Sequence, residues 1–191
     1  MRIMDSKICK LITKSTWLAI AIFVIRYLMG YIGVLSFLKC ETWYDYLGAA
    51  GEAISMTTII MALYDKFLWS INPLDSTPRL KGIYTGKLIY DYNGQHKRKN
   101  IKVDIAQTSL KVTVKITTNE ITSNTITSDL IEENGEYVLY YTYLTNPSSQ
   151  YSAQNPIQHG TCRLIQTDKD KLEGQYWTSR KTIGDIKLTK Q

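Results

Sequence analysis

The chain has 191 residues, three cysteines and a net charge of +6. That length suffices for one small domain beside a membrane segment, and nearly all the long apolar runs lie before residue 72. Cys9, Cys40 and Cys162 are odd in number and far apart, so no disulfide framework is implied and no metal-ligand spacing appears.

The first predicted element is a membrane helix. Residues 1–15 form a basic N-terminal segment with Arg2, Lys7, Lys10 and Lys14. Residues 15–38, STWLAIAIFVIRYLMGYIGVLSFL, are almost unbroken apolar sequence with Arg26 near the middle. The 23 residues of 16–38 can cross ~30 Å of hydrocarbon at ~1.5 Å per residue. A second run, LGAAGEAISMTTIIMALY at 47–64, contains Glu52 and extends toward Phe67, Leu68 and Trp69. Trp17, Trp43, Tyr44, Tyr46 and Tyr64 sit near the ends of these runs, where amphipathic rings favour the headgroup layer. Residues 16–71 therefore predict a hairpin of two transmembrane helices. The first run is too long for the apolar stretch of a signal peptide, and no small-residue cleavage site follows it. The basic tail, the single Lys39 of the connection, and Lys66, Arg79 and Lys81 beyond it place both termini on the cytoplasmic side of the membrane.

Arg26 is costly at bilayer depth and marks function by default. On a helix, Arg26, Gly30, Gly33 and Phe37 share one face, as do Gly48, Glu52 and Ser55. Small residues on these faces let helices approach closely in lipid. Arg26 and Glu52 are the natural pair, within one chain or between chains. The alternative is that Arg26 reaches to the headgroups and Glu52 is protonated.

SINPLDSTP at 70–78 ends the second helix, with 72–78 as a linker. The apolar period then becomes two. Leu80, Gly82, Tyr84, Gly86 and Leu88 share a face, as do Ile101, Val103 and Ile105, and Leu110, Val112, Val114 and Ile116. Turn signals at Asn93-Gly94, 107–109, Asn134-Gly135 and 167–170 separate the runs. Eight strands are predicted near 80–91, 98–106, 109–117, 120–131, 136–145, 158–166, 171–179 and 182–189. Short strands with tight turns indicate an all-β antiparallel meander, and closure into an eight-stranded, lipocalin-like small β-barrel over 79–191 removes its edges. The connection TNPSSQYSAQNPIQ, 145–158, is longer than a hairpin requires. It is either an ordinary variable loop or a functional one.

Catalytic signatures are missing. His96 lies in the basic turn Gln95-His96-Lys97-Arg98-Lys99, expected to face solvent, and His159 has no neighbouring ligand set. No nucleophile elbow, phosphate loop or zinc motif is present. Residues 79–191 carry 16 Lys and Arg against 11 Asp and Glu, and nine tyrosines. A basic, aromatic barrel suits an anionic ligand with flat rings.

Two transmembrane helices, a Pro-containing linker, and a small all-β domain opening with Leu80-Lys81-Gly82-Ile83-Tyr84-Thr85-Gly86 and closing with Leu172-Glu173-Gly174-Gln175-Tyr176-Trp177 resemble a known family. These are the two-transmembrane, β-strand-rich effectors of bacterial cyclic-oligonucleotide antiphage signalling systems (CBASS). The resemblance implies a non-enzymatic protein of the inner membrane whose cytoplasmic barrel binds a cyclic di- or oligonucleotide made by a nucleotidyltransferase on infection. It further implies homo-oligomerisation and disruption of the lipid bilayer, killing the infected cell. No cofactor, metal, DNA or RNA is implied.

Family positions do not transfer residue by residue, so the ligand residues rest on strand parity. Tyr84 and Tyr176 point inward with Leu80 and Leu172. Arg180 shares the parity of Tyr176 near the mouth, and Arg163 lies on a strand that reads in either phase. For the tyrosines, core packing and base stacking stay open. For the arginines, a solvated rim and a phosphate contact stay open. Two rival functions share the fold: a barrel for a lipid or other apolar ligand, with a dry aliphatic interior, and a protein scaffold with a filled one.

Overall fold

The computed structural model describes residues 2–35, 38–73, 75–92, 95–153 and 155–191. The predicted Phe37 face position and the Asn93-Gly94 turn lie outside the described residues. The chain separates into two compact units, Met1–Asp75 and Ser76–Gln191.

The first unit is a pair of helices, α1 (Arg2–Tyr31) and α2 (Trp43–Lys66). The spans Cys9–Tyr31 and Trp43–Lys66 are long and apolar enough to cross a membrane. Ile20, Val24, Ile25, Leu28, Ile54, Ile59 and Leu63 are exposed, as lipid-facing positions are. Helix α1 begins earlier and ends earlier than predicted, at Tyr31 rather than 38. Gly33 adopts φ +79° just past the end, the left-handed conformation in which glycine terminates helices. Helix α2 starts at a capping residue: the Thr42 N–H donates to Asp45 Oδ2 at 2.7 Å, satisfying a backbone donor at the helix start. Ala49, Ala53 and Thr57 are its buried positions. That stripe lies beside the predicted Gly48, Glu52 and Ser55 face.

The second unit is a closed barrel of eight strands in sequence order. They are β1 (Gly82–Tyr92), β2 (Gln95–Gln107), β3 (Val112–Thr117), β4 (Ile121–Glu133), β5 (Glu136–Pro147), β6 (His159–Asp168), β7 (Lys171–Thr178) and β8 (Ile183–Lys190). Every pairing is antiparallel, and β1 closes on β8. The inward set is the predicted period of two: Leu80, Tyr84, Val103, Ile105, Val114, Leu139, Leu164, Leu172, Ile186 and Leu188 are all buried. One end is plugged where the chain enters. The Leu80 N–H donates to Gln107 Oε1 at 2.6 Å, Gln107 Nε2 donates to the Pro78 carbonyl at 2.9 Å, and the Tyr84 hydroxyl donates to the Leu80 carbonyl at 2.9 Å. The other end is ringed by the end of β1, the start of β2, the β3–β4 and β7–β8 turns and the described residues of the long β5–β6 connection.

A cavity at the open end of the barrel

The interior is filled toward the plug and hollow toward the far end. A cavity of about 530 Å³ opens there, within the size range of small-ligand sites. The register explains the hollow. Gly160 and Gly184 fall at inward positions of β6 and β8, where a Cβ would strike the Tyr143 and Tyr176 rings. Each glycine gives one ring its place against the wall. Tyr143 and Tyr176 then form aromatic walls, with Tyr90 and Leu88 from β1 and Ile186 from β8. Burial raises the Tyr143 hydroxyl pKa, and raises that of Tyr176 to about 12. Both hydroxyls therefore stay protonated and able to donate.

Another wall is polar. Ser123 of β4 and Thr145 of β5 are cross-strand partners, and both are buried. Gln158 continues the strip: its N–H donates to Thr145 Oγ1 at 3.0 Å. Its Oε1 is buried and has no partner among the described residues. Such an orphan costs about 1–3 kcal/mol unless something donates to it.

Charge gathers at the rim. Lys97 and Lys99 of β2 and Arg180 of the β7–β8 turn line the cavity, with Asp91 and Glu120 among them. The segment 95–99 is strand rather than the predicted turn, because β2 begins at Gln95, while residues 95–98 are exposed as predicted. Lys97 and Lys99 share the inward parity of Ile101. Lys99 Nζ pairs with Glu120 Oε2 at 2.7 Å, and Asn155 Nδ2 donates to the same oxygen at 3.2 Å. The long β5–β6 connection thus supplies Asn155 and Gln158 to the cavity.

The four residues chosen by parity separate into two groups. Tyr176 and Arg180 line the cavity. Tyr84 points inward but is buried in the plugged end, with its hydroxyl on Leu80. Arg163 takes the outward phase. Its Nη2 donates to Glu133 Oε2 at 2.9 Å and its Nε to the Tyr140 hydroxyl at 2.8 Å. The signals that reasoning on sequence passed over were the parity of Lys97 and Lys99 and the polar strip of β4 and β5.

In the helical unit, Arg26 Nε and Glu52 Oε2 lie 2.5 Å apart within one chain. Arg26 Nη1 also donates to the Leu38 carbonyl at 3.3 Å. Gly30 is buried, and a Cβ there would come within 2.7 Å of that carbonyl. Gly33 lies in the turn after α1. Ser55 is exposed and hydrogen-bonds the Gly51 carbonyl of its own helix at 2.8 Å.

A cavity with flat aromatic walls, a polar strip and three cations is not the dry aliphatic interior that a lipid carrier needs. It offers partners for bases and for phosphates. Comparison with known proteins gives the family. Residues 75–190 match the family described as Cap15, cyclic dinucleotide receptor domain. The chain is 35% identical over 191 residues to CD-NTase-associated protein 15 of Staphylococcus schleiferi, covering 98% of this chain and 99% of that protein. With the barrel matched throughout and a relative aligned from end to end, this chain belongs to the Cap15 family of two-helix, β-barrel effectors of cyclic-oligonucleotide antiphage signalling.

Proposed function

We propose that the cavity at the open end of the barrel is the receptor site for a cyclic dinucleotide, and that its occupation turns the helices against the inner membrane. The observation that carries this reading is the coexistence, around one cavity of about 530 Å³, of Tyr90, Tyr143 and Tyr176 with Lys97, Lys99 and Arg180. A cyclic dinucleotide has two bases and two phosphodiesters. Aromatic rings stack on the first, and cations neutralise the second. In this reading Tyr176 and Arg180 contact the ligand directly. Tyr84 and Arg163 hold the barrel that presents them.

The ligand-bound barrels then self-associate, with the barrel and both termini in the cytoplasm. The helices that come together damage the bilayer. Gly48, Gly51 and Ser55 are exposed on α2, and small residues suit close contact with a second helix in lipid. Arg26 and Glu52 neutralise each other inside each hairpin, so the polar face is tolerated in the membrane until copies meet. Dye-loaded liposomes carrying the full-length protein test the whole sequence of events. Release on addition of one cyclic dinucleotide, and not of its linear form, is expected. Release that ignores every cyclic dinucleotide contradicts the proposal.

A further inference from the structure

Two carboxylates that a phosphate site does not need line the cavity: Asp91, whose Oδ1 meets His96 Nδ1, and Glu120. Glu120 lies in the turn between β3 and β4. A carboxylate repels a dianionic ligand, so its presence asks for a compensating contact. Three contacts, from β2 and from the β5–β6 connection, fix Glu120 in place. Its Oε2 takes Lys99 Nζ at 2.7 Å and Asn155 Nδ2 at 3.2 Å, and its backbone carbonyl accepts from the Ser148 N–H at 2.9 Å. Both side-chain donors use Oε2. Oε1 has no donor among the described residues. A second unused acceptor, the orphaned Oε1 of Gln158, lines the same cavity.

The Glu120 side chain is 34% exposed, so water can serve its Oε1, and a ligand that covers it and the Gln158 oxygen must bring N–H donors in place of that water. Carboxylates and amide oxygens read bases through such donors. Guanine places two donors side by side, its ring N1–H and its 2-amino group. Adenine and cytosine set an amino group beside an acceptor nitrogen. Uracil sets one N–H between two carbonyls. Against a carboxylate, each of those neighbouring acceptors is repelled, which turns the same group into discrimination.

We infer that Glu120, oriented by Lys99 and Asn155, reads the N–H edge of a guanine, and that the cavity selects a guanine-containing cyclic dinucleotide. This rests on the cyclic dinucleotide reading above. Gln158 supplies a second acceptor in the same cavity.

The test is a calorimetric titration of full-length protein in detergent with cyclic di-GMP, cyclic di-AMP and cyclic di-IMP, which differs from the first only in lacking the 2-amino groups. The wild-type protein is expected to bind cyclic di-GMP about tenfold more tightly than cyclic di-IMP, and to bind cyclic di-AMP more weakly still. Glu120→Gln is expected to erase the first ratio while still binding cyclic di-IMP. Asn155→Ala, which frees the carboxylate without removing it, is expected to reduce that ratio. Equal wild-type affinities overturn the inference and leave the receptor reading standing. So does a Glu120→Gln protein that binds all three ligands more tightly by the same factor, because Glu120 is then only an internal anion competing for Lys99. Folded wild-type protein that binds no cyclic dinucleotide overturns both.

Discussion

Arg26 of the first helix and Glu52 of the second form an ion pair within one chain, Nε to Oε2 at 2.5 Å. The early end of α1 makes this possible. A helix continuing to 38 would carry Arg26 about 16 residues from the middle of the connection, out of register with Glu52 by roughly 9 Å at ~1.5 Å per residue. Ending at Tyr31 folds the connection back, and the Leu38 carbonyl becomes a further acceptor for Arg26. Each single reversal, Arg26→Glu or Glu52→Arg, leaves two like charges facing each other. We expect ligand-triggered dye influx into cells to fall to the level without ligand in each single variant, and to return in the double reversal. A double variant as inactive as the singles shows that the pair has no part in the membrane step.

Tyr176 and Tyr84 are inward-facing tyrosines with different surroundings, and they make a paired prediction. Tyr176 lines the cavity, so Tyr176→Ala should weaken ligand binding by about 1–3 kcal/mol, the value of one stacked base. Tyr84 hydrogen-bonds Leu80 in the plugged end. Tyr84→Phe should leave affinity unchanged and cost about 1 kcal/mol of stability. Titration and thermal unfolding of the two variants separate the roles.

Gly160 offers a subtler probe. A Cβ there would strike the Tyr143 ring, with Cε2 at 2.8 Å, and its three nearest neighbours are all atoms of that side chain. Gly160→Ala should therefore push the ring into the cavity, costing about 1–3 kcal/mol of stability by overpacking and weakening binding as well. Unchanged affinity in a folded Gly160→Ala protein indicates that the ring position does not matter to the ligand.

The outer-face cluster governs acid sensitivity. The hydrogen bond from Arg163 holds the Glu133 carboxyl below the usual carboxylate range, and the Tyr140 hydroxyl adds to it. A depressed folded-state pKa stabilises above the unfolded value, about 4.3 for Glu, and that stability is lost as pH falls through the folded value. Glu133→Gln should thus lower the unfolding temperature at about pH 7 and lose most of its deficit at about pH 3. A deficit independent of pH rules out the ion pair as its source.

Burial raises the Cys162 thiol pKa to about 12, whereas Cys9 is exposed. Thiolate is the reactive form. Alkylation of the folded protein in detergent should therefore label the exposed Cys9 and spare Cys162 until the barrel is unfolded. Mass mapping of the labelled sites checks this.

The barrel was legible because a strand writes its burial as alternation. Ile101, Val103 and Ile105 announce an inward face, and every turn carries its own residues. The same rule, run backwards from Ile101, reaches Lys99 and Lys97. It was obscured because a cluster of five polar residues reads as a solvated turn. Arg163 was ambiguous for a related reason: Thr161, Cys162, Leu164 and Ile165 offer apolar partners in both phases, and only pairing with β5 decides between them. Glu120 and Asn155 meet across 35 residues of sequence. No local pattern announces a contact of that kind, so the long connection could not be told from an ordinary loop. The helix end was missed because residues 32–35 are apolar, and apolar residues in a membrane protein do not distinguish helix from turn.

The central claim is that the cavity holds the signal. Calorimetric titration of the full-length protein in detergent with a panel of cyclic dinucleotides tests it most directly, with the Lys99→Ala and Arg180→Ala variants run alongside. Saturable micromolar or tighter binding of one member, weakened in both variants, is the predicted result. Binding that neither variant alters, or none at all by the folded wild-type protein, contradicts it.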